Sequence, residues 1–229
     1  MNFISNIFSS TKKRNTTDDA DDLQLSMRTT ANCRHNASVR LQRQGLLAFN
    51  ATAVLSLALI FIPLMQNSGV YLAFKDSVLN MMQVFLGVAV LVYSLIISTA
   101  RYEVRALQLA QCADKIKELI RDLKTERSKN GGTLPTQSLV DAQKRYSEIL
   151  TSSENHEGND YRLAMLYMAK DYATPYGTRL LMQIQAICSA LRPIVAPAAL
   201  LVIVLFFSSE MFGLSAQTKI YVPSWRVSL

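Results

Sequence analysis

The chain has 229 residues, 50% hydrophobic and 18% charged, with 24 Lys and Arg against 17 Asp and Glu. The apolar residues are bunched into three long runs and the remainder is charged enough to be water-soluble, which excludes a simple globular enzyme. The net charge of +7 suits an anionic membrane surface as well as nucleic acid, and three widely spaced cysteines, Cys33, Cys112 and Cys188, with only two histidines argue against a disulfide framework or a zinc knuckle.

The start, MNFISNIFSSTKKRN, puts Phe3, Ile4, Ile7 and Phe8 on one helical face ahead of Lys12, Lys13 and Arg14, the wrong order for a secretory signal. A short helix on a membrane surface and a frayed terminus both fit it. Residues 1–33 read as a flexible polar and basic leader, because Thr11 to Arg43 holds the run DDADD and lacks a sustained apolar period until Val39 and Leu41. A pre-helix and transmembrane hairpin follow over 34–100. Leu46 to Met65 is 20 residues without a charge and Val78 to Thr99 is 22, each long enough to cross a core of about 30 Å. Arg34, Arg40 and Arg43 precede the first span and Arg101 and Arg105 follow the second, so the N-terminus and the central region of a multi-pass membrane protein face the cytoplasm.

Residues 101–185 form a cytoplasmic helical region. Leu109, Cys112, Ala113, Ile116, Leu119, Ile120 and Leu123 recur at three and four residues, the seam of a packed helix. With no Gly or Pro between Gly87 and Gly131, second span and stalk read as one rod of roughly 40 residues, about 60 Å long. SKNGGTLP turns the chain back into a second amphipathic helix through Leu139, Ala142, Tyr146 and Ile149 or Leu150. A third apolar helix over 186–214 spans the membrane or enters it partway, since its core, Pro193 to Phe207, is only 15 residues long; 215–229 is a tail. The fold class is therefore an all-α membrane protein: a two-helix transmembrane hairpin continuous with a cytoplasmic helical hairpin, plus a third membrane helix.

No HExxH, CxxC, GxSxG, Walker loop or Gly-rich dinucleotide turn occurs, so neither catalysis nor a cofactor or metal is expected. Polar residues within spans are costly in hydrocarbon and tend to face protein or water. Ala48, Thr52 and Ser56 make a small-residue packing face on the first span. Asn80, Gln83, Gly87, Ser94 and Ser98 make a stripe on the second, which either lines a water-filled path or serves hydrogen bonding between the helices. Glu154-Asn155-His156, followed by Asp160-Tyr161, either binds a metal or ligand or caps the following helix.

The order RHNASVRLQRQ, two-span hairpin, RYEVRALQLAQCADKIKELI and RYSEILTSSENHEGNDY resembles the SLATT domains, two-transmembrane partners of SMODS nucleotidyltransferases and SLOG sensors. The family motif falls on Tyr146, Asn155, His156, Asp160 and Tyr161, and the resemblance covers roughly His35 to Arg179. It implies a bacterial anti-phage effector of the inner membrane that permeabilises or depolarises it when a partner reports infection, ending in growth arrest or cell death, and the second-span stripe adds the expectation of a homo-oligomer. The implied partner is a nucleotidyltransferase, a SLOG sensor or a reverse transcriptase, and the implied role of the motif is architectural. The competing reading is a membrane scaffold that anchors a cytoplasmic defence enzyme. Direct nucleic-acid binding by the basic leader is not favoured over a role in topology and lipid contact.

Overall fold

A computed structural model describes residues 12–13, 18–69, 72, 74–168, 171–173 and 175–211. The Phe3 to Phe8 face and the tail after 214 lie outside the described residues. The chain is an all-α membrane protein with helices α1 (Asp19–Asn67), α2 (Asp76–Ala100), α3 (Tyr102–Lys129), α4 (Thr136–Thr151), α5 (Gly158–Tyr167) and α6 (Tyr176–Met211). Beside them stands a two-residue antiparallel ladder of β1 (Lys12–Lys13) with β2 (Tyr172–Ala173). The described chain divides into two compact units, one built from the residues up to Gln44 with Arg101–Arg192, the other from Gly45–Ala100 and the residues from Pro193 onward.

The first unit corrects the expectation of a flexible leader. From Asp19 the chain is helical, and Met27, Ala31, Cys33, Ala37 and Leu41 are fully buried. The DDADD run starts this helix: Asp18 accepts the Ala20 N–H at 3.3 Å, and Asp19, Asp21 and Asp22 occupy the first turn, where carboxylates meet the positive end of the helix dipole. Arg127 at the far end of α3 binds Asp18 and Asp21 and so ties that start down. The helix lacks an apolar period because it is packed on several sides. Met27 and Ala31 meet Cys112, Ile116, Ile120 and Ala142 of α3 and α4; Leu25 meets Met165, Met168 and Tyr172; Ala37 and Leu41 meet Ala106 and Leu109.

The predicted seam of α3 is the buried face that receives α1. The turn after α3 uses Gly131 and Gly132 at φ 67° and 98°, with the Gly132 N–H bonded to the Arg127 carbonyl at 2.9 Å, a left-handed helix stop that favours glycine. The expected rod runs from Asp76 to Lys129, interrupted at a single residue. Arg101 separates α2 from α3 with φ 47° and ψ 42°, a left-handed conformation at an exposed non-glycine residue. No Gly or Pro marks this break, so periodicity alone could not reveal it.

In the second unit, Leu55 of α1, Leu86 of α2 and Val204 of α6 form a core with Ala58, Leu59, Ile62, Ala89, Val90 and Leu200 around it. Elsewhere these helices expose apolar side chains, including Leu57, Ile60, Val84, Val88, Leu91 and Leu95, as lipid-facing segments do. Two helices are long and apolar enough to cross a membrane. A third span results only if Tyr176–Val195 and Pro197–Ser209, the two parts of α6 on either side of a bend, are counted as one.

The strain at Arg101 gives a testable outcome. A left-handed conformation costs an L-residue about 1–2 kcal/mol, and glycine removes most of that while adding unfolded-state entropy. Thermal unfolding in detergent should show Arg101→Gly to be stabilising by about 0.5–1 kcal/mol and Arg101→Val destabilising by about 1 kcal/mol. A stable Arg101→Val protein would mean that α2 and α3 run on without the break.

Candidate functional site: the α5 clasp on helix α1

The first turn of α5 is built on an acidic residue with no exposure to solvent. Asp160 occupies the third helical position, where its Oδ2 accepts the Glu157 backbone N–H at 3.0 Å; Glu157 returns the bond in a reciprocal capping box. Arg40 of α1 reaches the same carboxylate, donating Nε–H to Oδ1 and Nη2–H to Oδ2, both at 3.1 Å, while its Nη1 pairs with Glu157 at 2.9 Å. One helical turn earlier on α1, Asn36 donates to the Asp160 carbonyl at 3.1 Å. The fork of the guanidinium matches the carboxylate in a way a lysine could not. With three donors on its oxygens, this carboxylate is placed to hold structure rather than to take up a substrate proton.

Tyr146 and Tyr161 pack on the same helix. The Tyr146 hydroxyl hydrogen-bonds Thr30 at 2.7 Å, and neighbouring Thr29 bonds the Tyr172 hydroxyl at 2.8 Å. The Asn155 side chain accepts the His156 backbone N–H at 3.0 Å, and the His156 ring stacks on Tyr161 at 6.5 Å between centroids. Glu154 pairs with Arg105 of α3 at 2.9 Å, fixing the other end of the loop.

Burial shapes the titration of this region. The half-buried His156 ring is held below its ordinary pKa by desolvation first and by the Arg34 charge second, with Asp160 opposing; its Nδ1 has no hydrogen-bond partner among the described residues. Burial, with Asp160 adding to it, pushes the Cys33 thiol up to about 12. Burial also raises Tyr161, helped by Tyr172 and Cys33. Of the two alternatives for the Glu154 to Tyr161 cluster, the geometry here is that of a cap. Among the described residues no group of three or more His, Cys, Asp or Glu is arranged to hold a metal.

The basic leader is used differently from expectation. Arg34 is buried and Arg40 is spent on the clasp, leaving Arg43 exposed. In the second unit, Gln66 of α1 donates to Asn80 at 3.3 Å and accepts from Gln83 at 2.5 Å, so these two stripe residues join the helices of the hairpin. Gly87 is half-buried with open space where a Cβ would stand, and Ser94 and Ser98 are exposed. Thr52 and Ser56 return their hydroxyls to carbonyls of their own helix at 2.9 Å, while the tightest contacts run through Ala51 and Leu55 beside them.

Sequence reasoning missed Thr29, Thr30, Asn36, Arg40 as a clasp residue, Glu157 and Tyr172. The available signal was polar: Thr29, Cys33, Asn36 and Arg40 recur at helical spacing through a stretch whose composition otherwise suggested disorder.

A helical membrane protein in which a capped, polar helix start grips a central helix is the class these features define. The family comparison refines it: the model for the SMODS and SLOG-associating 2TM effector domain family 5 matches residues 16–209, and the chain belongs to this SLATT family. No curated protein and no solved structure is significantly similar to the chain.

Two outcomes follow for the clasp. Asp160→Ala removes the α5 capping acceptor and leaves Arg40 with Glu157 as its remaining ion-pair partner, which should cost about 3 kcal/mol, with Arg40→Lys costing less because the charge survives and the fork does not. Hydrogen exchange of the α5 amides in the full chain is the readout; unchanged protection in both variants would remove the clasp from the account. Because the folded-state pKa of His156 lies below its ordinary 6.5, the unfolded state takes up the proton first, and stability falls as pH drops below that value. His156→Phe, which retains an aromatic ring against Tyr161, should flatten this dependence in thermal unfolding measured across pH 5 to 8, the range about which histidine ordinarily titrates.

Proposed function

We propose that the protein is a homo-oligomeric effector of a bacterial anti-phage system that depolarises the inner membrane when activated, ending in growth arrest or cell death. Its family consists of effector domains associated with SMODS and SLOG proteins, which supports a defence role with a partner of one of those two kinds, a nucleotidyltransferase or a SLOG sensor; a reverse transcriptase is the other partner proposed. The observation that carries the membrane part is the α2 stripe. Ser94 and Ser98 stay exposed on a helix whose neighbouring exposed residues are Leu91, Val92, Leu95 and Ile96, and Asn80 is exposed at the other end of the stripe. Polar groups facing hydrocarbon are costly, so copies of the chain that turn this stripe toward one another and toward water lower the energy.

The helical unit faces the cytoplasm in this reading, with Arg43, Arg101 and Arg105 at the membrane boundary. An activating signal acts by favouring one packing of that unit over another, and a preference of a few kcal/mol is enough to shift the populations strongly. A scaffold that anchors a defence enzyme is the second reading, and the Gln66 bonds to Asn80 and Gln83 favour it, since they satisfy part of the stripe within one hairpin.

Ion flux from liposomes holding the purified protein, with and without the partner and its product, tests the proposal. Activation should produce flux, and the double variant Ser94→Leu, Ser98→Leu should reduce it at least about tenfold, equivalent to 1.4 kcal/mol or more on the conducting state. Inserted protein that never conducts, yet retains its partner in pull-down, would replace the pore with the scaffold.

A further inference from the structure

The part of α6 that belongs to the first unit, Tyr176 to Leu191, carries an apolar face that nothing in its own unit covers. Leu180, Ile184, Ile187 and Leu191 follow one another at steps of four, three and four and are 60%, 52%, 61% and 52% exposed. Met182 and Ala186, on the opposite side of the helix, are buried. Single exposed aliphatic residues are ordinary on a protein surface, but a continuous row of four marks an interaction face.

We propose that this face is covered by lipid: Tyr176 to Leu191 lies in the membrane–water interface as an amphipathic helix. Two further observations favour lipid over protein. From Tyr176 to Phe207 the charged residues are Arg179 and Arg192, and no Asp or Glu is present. Anionic headgroups complement that charge, whereas a second copy of the same helix would bring the same two arginines. The segment is also continuous in the chain with the apolar run Pro193 to Phe207, whose Val204 packs with Leu55 and Leu86 of the spans, so the residues that follow it along the chain are ones suited to hydrocarbon. Tyr176, 90% exposed at its start, is of the residue type enriched at this boundary. The inference requires the second unit to sit in a bilayer and does not require it to conduct, so it fails or holds apart from the depolarisation reading.

Spin labels decide it on the full chain reconstituted in vesicles of phosphatidylcholine and phosphatidylglycerol. In a Cys188→Ser background, which leaves the buried Cys33 and Cys112 in place, labels go on Leu180→Cys, Ile187→Cys and, as an aqueous control, the exposed α4 position Gln143→Cys. At 180 and 187 relaxation by oxygen should exceed relaxation by a water-soluble nickel chelate, with the ratio inverted at 143 and similar shallow depths at 180 and 187. Two separate sites keep the test open if one variant misfolds. Nickel access at 180 and 187 equal to that at 143 would place the face in water and overturn the proposal. So would spin–spin coupling between copies, which would make the occupant a second chain, or a steep increase in depth from 180 to 187, which would make the segment part of a span.

Discussion

The pairing of Arg40 with Asp160 is the constraint on which the first unit depends. A carboxylate with no access to water is costly unless its oxygens are satisfied, and here the backbone of Glu157 and the guanidinium of Arg40 together do this. The same carboxylate that caps α5 therefore fixes where α5 meets α1. With Asn36 on the Asp160 carbonyl, two residues one turn apart on α1 set both the position and the rotation of the short helix.

Around that pairing the rest of the unit follows from ordinary packing. α1 is its middle element, with α3 and α4 on one side and α5 and the Tyr172 segment on another. Thr29 and Thr30 place two hydroxyls on adjacent faces, one for Tyr172 and one for Tyr146, so polar contacts add orientation where the aliphatic contacts are less specific. Tyr146 and Asp160 are in this light attachments to α1, made by residues more than a hundred positions away in the chain.

The membrane unit answers to a different solvent. Its three apolar segments pack through few residues, chiefly Leu55, Leu86 and Val204, and leave broad aliphatic surface outward, because in a bilayer exposure of that surface carries no penalty. What distinguishes its faces is therefore polarity: the Gln66, Asn80 and Gln83 contacts close one end of the hairpin, and Ser94 and Ser98 remain on its surface.

The sequence by itself determined the two spans, because a charge-free run of 20 or more residues has one economical place in a cell, and it determined the α3 seam and the glycine turn, because these signals are local. Only the tertiary structure decided that residues 19–43 are a central helix, since a helix buried on several faces by both aliphatic and hydroxyl-bearing side chains has no single apolar stripe. It also decided that Arg40 serves Asp160 rather than the membrane boundary, and that the helix breaks at Arg101. A contact between residues 120 apart, and a strained φ at an ordinary arginine, are set by what packs on either side of them.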